Sequence, residues 1–289
     1  MNIGVIGNGF VGNSIYHTFC LSNTVRVFDI NDERATHSLI ETVDESDIIF
    51  VCVPTPMMEG GKTDLSYIRD AFNLIRDTAH ELDMDDDDLR SKTFVIKSTV
   101  VPNTTRELNA EFDELNIIFS PEFLTERTAV SDSICANHIL IGSDEDMGNS
   151  AQELYNLYKD RFGSAYNIVV TDSVTSEFIK YMRNTFFATK VTFMNEMFRI
   201  AANMGVDWED AVSGFVLDGR IGHSHLSVPG HDGMYGFGGT CFPKDINALI
   251  VHSKKTGFTP PLLSSVRDAN LKYRGVEDWK ESKGRAVFE

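Results

Sequence analysis

The chain has 289 residues, enough for one large domain or two ordinary ones with packed cores. Its 26 Lys and Arg stand against 43 Asp and Glu, a net charge of −17, which argues against sequence-independent binding to nucleic acid or to an anionic membrane surface. Four scattered cysteines (Cys20, Cys52, Cys135, Cys241) lack the close pairs of a zinc site or disulfide framework, and the sequence opens on a strand pattern rather than a leader, so a reduced, cytoplasmic setting is expected.

Residues 2–6 read as a short buried strand running into Gly7-Asn-Gly-Phe-Val-Gly12 and an apolar helix through about Leu21. A second strand, residues 25–28, ends at Asp29, 22 residues beyond Gly7, where a dinucleotide site needs an acid for the ribose. Gly7 permits the tight turn, Gly9 lets backbone approach a pyrophosphate, and Gly12 allows close helix packing, with the helix N-terminus facing the phosphates. An acid at the ribose favours NAD over NADP. Arg34 is open to two readings, a residue lying over the adenosine or a solvated helix charge.

Further strands alternate with helices. Residues 48–53 run into Pro54-Thr-Pro56 and are too few to span a membrane; residues 93–97 lead into Ser98-Thr-Val100, 116–119 into Ser120-Pro-Glu122, and 139–141 end at Gly142. Helical patterns fall near residues 65–82, 104–112 and 145–162. Repeated βα units predict an α/β fold, a Rossmann-type doubly wound parallel sheet with ligands beyond the strand C-terminal ends. Asp83-Met-Asp-Asp-Asp-Asp88 reads as a solvated loop.

After a strand at residues 167–170 the period changes to about 3.6, and one long helix is expected over residues 173–204. The expected domains are therefore residues 1–172, binding NAD, and 173–289, all-helical around that long helix. Phe178, Phe186, Phe193 and Phe198 make the helix too apolar to stand in water alone, so it is expected to pack as a core or dimer helix. Lys180 and Asn184, four apart, share a face, with Glu177 a turn earlier. His223, His225 and His231 lack ligand spacing, and no metal is expected. Beyond them, Tyr235-Gly-Phe-Gly-Gly-Thr-Cys-Phe-Pro-Lys-Asp245 delivers Cys241 to a helix start, where unpaired N–H groups, the helix dipole and Lys244 favour a thiolate. An activated nucleophile and a structural thiol both remain open from that stretch alone. One more helix from about Phe258 to Tyr273 and a polar tail complete the chain.

Taken together, Gly7-Asn-Gly-Phe-Val-Gly12, Val53-Pro-Thr-Pro56, Lys97-Ser-Thr-Val100, Pro121-Glu-Phe-Leu-Thr-Glu126, Lys180-Tyr-Met-Arg-Asn184 and Gly236-Phe-Gly-Gly-Thr-Cys-Phe-Pro-Lys-Asp245 resemble the UDP-glucose/GDP-mannose dehydrogenases, the nucleotide-sugar 6-dehydrogenases. The resemblance covers nearly the whole chain, and its last motif is the most specific. It implies Cys241 as nucleophile, Lys180, Asn184 and Asp245 around the reacting carbon, and Thr99 and Glu122 handling water and proton transfer. NAD would lie against Gly7, Gly9, Phe10, Val11, Gly12, Asp29, Arg34, Pro54, Thr55, Thr99, Glu126 and Lys244. The sugar nucleotide would meet Glu122, Phe123, Leu124, Lys180, Asn184, Arg220, Tyr235 and Gly238. Ser120 and Arg127 depart from the Asn and Gly common in the family, and Asn137-His138 stands where Asp-Arg is common.

The implied reaction is a four-electron oxidation of a sugar CH₂OH, UDP-glucose to UDP-glucuronate, using two NAD⁺. An aldehyde has no good second hydride to give until a nucleophile adds, which is the reason for a cysteine beside a lysine. Two alternatives remain: a single-step β-hydroxyacid dehydrogenase using Lys180, and a non-catalytic NAD-binding subunit. The family's third, nucleotide-binding domain is not expected within this chain, so either the substrate is held by the loop at residues 229–237 with a partner subunit, expected as a homodimer through the long helix, or a separate chain supplies the missing half.

Overall fold

Short runs of β-branched and aromatic residues build the strands of a seven-stranded sheet in this computed structural model, which describes residues 1–288. In chain order the elements are β1 (Asn2–Ile6), α1 (Phe10–Phe19), β2 (Thr24–Phe28), α2 (Leu39–Asp44), β3 (Ile48–Val51), α3 (Ser66–Glu81), α4 (Asp86–Arg90), β4 (Thr93–Ile96), α5 (Thr104–Glu111), β5 (Asn116–Phe119), α6 (Ala129–Ile134), β6 (His138–Gly142), α7 (Ser150–Phe162) and β7 (Asn167–Thr171). Four more helices follow: α8 (Ser173–Met204), α9 (Trp208–Phe215), α10 (Phe242–Lys255) and α11 (Pro261–Arg274). The expected α/β fold with a helical second half is what the chain adopts.

The strand order is β2-β1-β3-β4-β5-β6-β7, and every pairing is parallel except β5 with β6, which meet antiparallel at Phe119 and Gly142. Because the order reverses between β1 and β3, the crevice beyond their C-terminal ends is the topological switch point, where open α/β sheets bind ligands. Helices cover both faces of the middle strands β3 and β4, which are buried throughout, whereas edge strand β2 carries Arg26 and Val169 and Val170 of edge strand β7 are exposed. Ile49 and Val51 point one way, onto Ile68, Phe72 and Ile75 of α3, while Ile48 and Phe50 point the other, among Ile15 and Phe19 of α1 and Leu154 and Leu157 of α7.

By contact the chain divides into two compact units: Met1–Thr55 with Leu65–Lys180, and Pro56–Asp64 with the chain from Tyr181 onward. In the second unit, Ala188 of α8 packs with Phe237, Ile246 and Ile250 of α10 and Val266 of α11, and a separate cluster joins Met194, Leu226 and Val228. Along α8 the apolar residues serve two purposes. Tyr181, Ala188 and Met194 are buried, whereas Phe178, Met182, Phe186 and Phe193 are exposed at 47%, 52%, 62% and 49%.

Three expectations need correction. The acidic run at residues 83–88 is not all loop: Asp85 accepts from the Asp88 N–H at 2.9 Å and Asp88 accepts from the Asp85 N–H at 3.1 Å, a capping box that starts α4. Arg34 lies in a turn after β2, not on a helix. Nor is the end of the chain a free polar tail, since Trp279 and Ala286 are buried and Val287 bridges to Met57, within the second unit. Among the described residues no helix is long and apolar enough to cross a membrane.

Candidate functional site

Beyond β1, Gly7 takes φ +92°, and a Cβ there would sit 2.9 Å from the Cys52 carbonyl oxygen that follows β3. Only glycine fits that left-handed, crowded position. A Cβ at Gly12 would come within 2.0 Å of the Gly7 carbonyl oxygen, whereas one at Gly9 would meet nothing within 4 Å. The loop is thus tight on the sheet side and open at the start of α1, which has neither a side-chain cap nor an acid in its first turn. Asp29, nearly buried, accepts from the N–H of Asn8 at 2.6 Å and of Asn31 at 2.9 Å, so its carboxylate is fixed beside the loop with lone pairs left for a ribose diol. An open helix N-terminus with a fixed acid beside it fits NAD. Replacing Gly12 by Ala is expected to weaken NAD binding at least tenfold, because the Gly7 turn must move; isothermal titration checks it, and unchanged affinity with an unchanged fold would refute the role given to Gly12.

Near this loop Pro54 is exposed, Thr55 donates its hydroxyl to the Thr99 carbonyl at 2.8 Å, and Ser98 donates to the Val53 carbonyl at 2.6 Å. These bonds tie the ends of β3 and β4 together. Phe10 and Val11 are half-buried at the start of α1; Arg34 and Glu126 are exposed, Glu126 opening a one-turn 3₁₀ segment.

The first unit also holds a buried charge cluster. Lys180, 3% exposed, donates to the Glu122 carbonyl at 2.7 Å and to its Oε1 at 2.8 Å, and its ammonium lies 5.6 Å from the Phe123 ring centre. Burial works to raise the Glu122 pKa, but the Lys180 charge and hydrogen bond, with the Leu124 N–H, outweigh it and hold the carboxyl below its ordinary value. Glu122 is therefore an ionised acceptor at neutral pH, the form that takes a proton. One turn earlier, Glu177 accepts from the N–H groups of Asn103 and Thr105 and from the Thr105 hydroxyl, at 2.6, 2.8 and 2.6 Å. It anchors the start of α5, and burial pushes its pKa up to about 7.

In the second unit, Cys241 is the N-cap of α10, with no side-chain cap bond; its carbonyl accepts from the Asp245 N–H at 2.8 Å and its Sγ lies 3.7 Å from the Thr240 hydroxyl. Pro243 lies in the first turn, where its missing N–H is harmless. Asn184 donates to Asp245 Oδ2 at 2.6 Å and Lys244 donates to Oδ1 at 2.6 Å, all three side chains being buried. Burial would lower the Lys244 pKa, yet the adjacent Asp245 carboxylate raises it above its ordinary value, so Lys244 keeps its charge and holds Asp245. Lys180 and Asn184, four apart on α8, belong one to each unit.

The glycines before Cys241 are clasped from α11 and α8. Asn270 accepts from the Phe237 N–H at 2.6 Å and donates to its carbonyl at 2.9 Å, and Asn195 accepts from the Gly236 N–H at 2.9 Å. A Cβ at Gly236 would come within 2.4 Å of Asn270, and one at Gly238 within 2.3 Å of the Arg274 guanidinium. Tyr235 is 39% exposed, its ring 5.7 Å from that of Phe198. Arg220 is exposed and pairs with Asp218. Asn195, Asn270 and Arg274 escaped sequence reasoning; each is a polar side chain that the fold buries. His225 stacks on Phe187 at 4.1 Å, and among the described residues no cluster of three or more His, Cys, Asp or Glu could hold a metal.

Comparison with known proteins gives matches to both halves. Residues 31–160 match the profile of the UDP-glucose/GDP-mannose dehydrogenase family, NAD binding domain, and residues 174–272 that of its central domain. The UDP-glucose 6-dehydrogenase of Rickettsia felis is 33% identical over 284 residues, 86% of this chain and 60% of the relative. UDP-glucose 6-dehydrogenase AglM of Haloferax volcanii is 31% identical over 311 residues, 93% of this chain and 69% of the relative. Against the Rickettsia bellii relative the coverage falls to 50% of its length, so the chain spans about half to two thirds of these proteins. A solved UDP-glucose dehydrogenase from Pyrobaculum islandicum superposes with a TM-score of 0.79 at 27% identity, covering 94% of this chain and 68% of that one. Mycobacterium tuberculosis 3-hydroxyisobutyrate dehydrogenase shares the fold at 19% identity, with a TM-score of 0.67 and 96% of each chain covered.

Proposed function

Since the chain belongs to the UDP-glucose/GDP-mannose dehydrogenase family and carries its NAD-binding domain, we propose that it oxidises the primary alcohol of a nucleotide sugar, UDP-glucose in the first instance, to the carboxylate. The observation that carries this reading is Cys241 at the uncapped start of α10, one turn from an Asp245 held by both Asn184 and Lys244. A single-step dehydrogenase has no use for that arrangement.

Bound NAD⁺ accepts hydride, once in each two-electron stage, and the residues from Gly7 to Gly12 with Asp29 would hold it. In the first stage the sugar hydroxyl gives its proton to a base, for which the ionised Glu122 is suited. The Cys241 sulfur then adds to the aldehyde carbon, giving a thiohemiacetal whose oxyanion needs fixed donors. Lys180 and the Asn184 amide supply them, each such donor being commonly worth on the order of 10² in rate. Loss of the second hydride leaves a thioester. Water attacks its carbonyl, Asp245 or Glu122 takes the proton, and the carbon–sulfur bond breaks to return the thiol and release the acid.

The decisive measurement is NADH formed per substrate consumed, with UDP-glucose, GDP-mannose and UDP-N-acetylmannosamine offered in turn. A ratio of two is expected for the true substrate. A ratio of one would favour a hydroxyacid-type single step, and NAD binding without turnover would favour a non-catalytic subunit.

A further inference from the structure

Lys97, the last residue before Ser98-Thr99, has no part in the chemistry above, yet it is a lysine only 4% exposed. Its Nζ donates to the Pro121 carbonyl at 3.3 Å and to the Ser120 hydroxyl at 3.5 Å, both neutral oxygens. A buried ammonium resting on neutral acceptors is costly, and a fold gains nothing in stability from keeping one there. The next carbonyl along the chain, that of Glu122, is taken by Lys180. Two ammoniums thus grip consecutive peptide units, one from just beyond β4 and one from α8, and the side chain between them is the Glu122 carboxylate.

We propose that Lys97 is a positioning residue: by holding the Pro121 carbonyl it sets the rotation of the Pro121–Glu122 segment and keeps the Glu122 carboxylate on Lys180. The inference rests on the catalytic reading of Glu122 and Lys180. The groups facing Lys97 are Cys52 beyond β3, Glu122 beyond β5, Lys180 on α8 and, through Ser120, Tyr158 on α7. Burial holds the Lys97 pKa down to about 8, with the Glu122 carboxylate opposing and the Lys180 charge assisting; burial likewise pushes Cys52 up to about 12, so the thiol stays neutral. The Lys97 charge also helps keep Glu122 ionised. Activity dependent on that charge is expected to decline above about pH 8.

Lys97→Met and Lys97→Gln test it in the full chain. For Lys97→Met, kcat is expected to fall about tenfold to a hundredfold with KM for NAD and sugar nucleotide changed less than threefold, as suits a misplaced base. Its Tm at pH 7 should not fall, because a buried charge has gone. The folded parent binds fewer protons than the unfolded chain between about pH 8 and the ordinary lysine value, so its stability rises through that window, and the Tm advantage of Lys97→Met should shrink there. Lys97→Gln, which still donates to the Pro121 carbonyl, should recover part of kcat and lose the decline above pH 8. Parental kcat in Lys97→Met, a loss of kcat that merely follows a loss of folded protein, or an unchanged alkaline decline in both variants overturns the proposal. A crystal structure of Lys97→Met decides independently of turnover: the Glu122 carboxylate displaced from Lys180 supports it, and a pair still at 2.8 Å overturns it. A parent chain inactive on every sugar nucleotide would instead remove the functional reading and leave this structural test standing.

Discussion

Replacing Cys241 by Ala is expected to reduce formation of the sugar carboxylate by about 10³-fold or more, while NAD binding and fold are retained. The thiol makes no side-chain cap bond to α10, so its removal takes no capping hydrogen bond from the helix. Oxidation of the alcohol to the aldehyde does not require sulfur. Residual NADH should therefore stop at one per sugar, with aldehyde trappable by hydroxylamine. Cys241→Ser would add to the aldehyde more weakly and would leave a poorer leaving group, so any acid it forms should appear slowly through an ester. Full turnover by Cys241→Ala, with two NADH per sugar, would end the thioester mechanism.

Lys180→Met carries the second large effect, and it divides between stability and rate. Lys180 and Glu122 are both nearly buried, so removing the ammonium leaves a carboxylate in a poorly solvated place, which costs about 3–5 kcal/mol when the partner stays charged. In the parent, Glu122 is held below its ordinary pKa, so its contribution is present above that ordinary value and is lost as the pH falls through the lower folded one. In Lys180→Met the burial effect is no longer opposed by this charge, Glu122 shifts upward, and the variant should lose stability relative to the parent as the pH rises toward neutrality. Rate should fall by about 10² to 10³-fold. The double variant Lys180→Met with Glu122→Gln separates the two roles: its Tm should return toward the parent while kcat stays low. Recovery of both would make Lys180 a structural residue only.

The architecture was legible because its signals are local. A glycine pattern between a strand and a helix, an acid at the end of the next strand and alternating periods of two and 3.6 need no partner elsewhere in the chain, and α8 has the bounds that its period implied. The capping box at Asp85 and Asp88 was overlooked because a run of aspartates reads as charge, although the spacing of three was visible. The end of the chain was harder. Trp279 is buried by its surroundings in space, not by any period in its own sequence. Within the candidate site, the motifs that carry the family resemblance pointed to Cys241, Asp245, Lys180 and Asn184, whereas the supports did not announce themselves. Lys97 precedes Ser98-Thr99 as an ordinary strand-end lysine, and only the fold sets the Pro121 carbonyl above its ammonium. Glu177 shared the Lys180 face in sequence, but its anchoring of α5 joins positions 72 apart, a pairing that composition cannot reveal.

The clasp on the glycines before Cys241 bears on how this stretch can be moved or varied. Gly236 and Gly238 are small because Asn270 and Arg274 of α11 occupy the space a side chain would need, and Asn270 satisfies both polar groups of the Phe237 backbone. Loop and helix are therefore one heritable module. A laboratory graft of residues 235–245 into another scaffold should carry the cysteine but not its conformation unless residues 270 and 274 travel with it. In random libraries, tolerated changes at Gly238 should arise together with smaller residues at Arg274, and seldom alone.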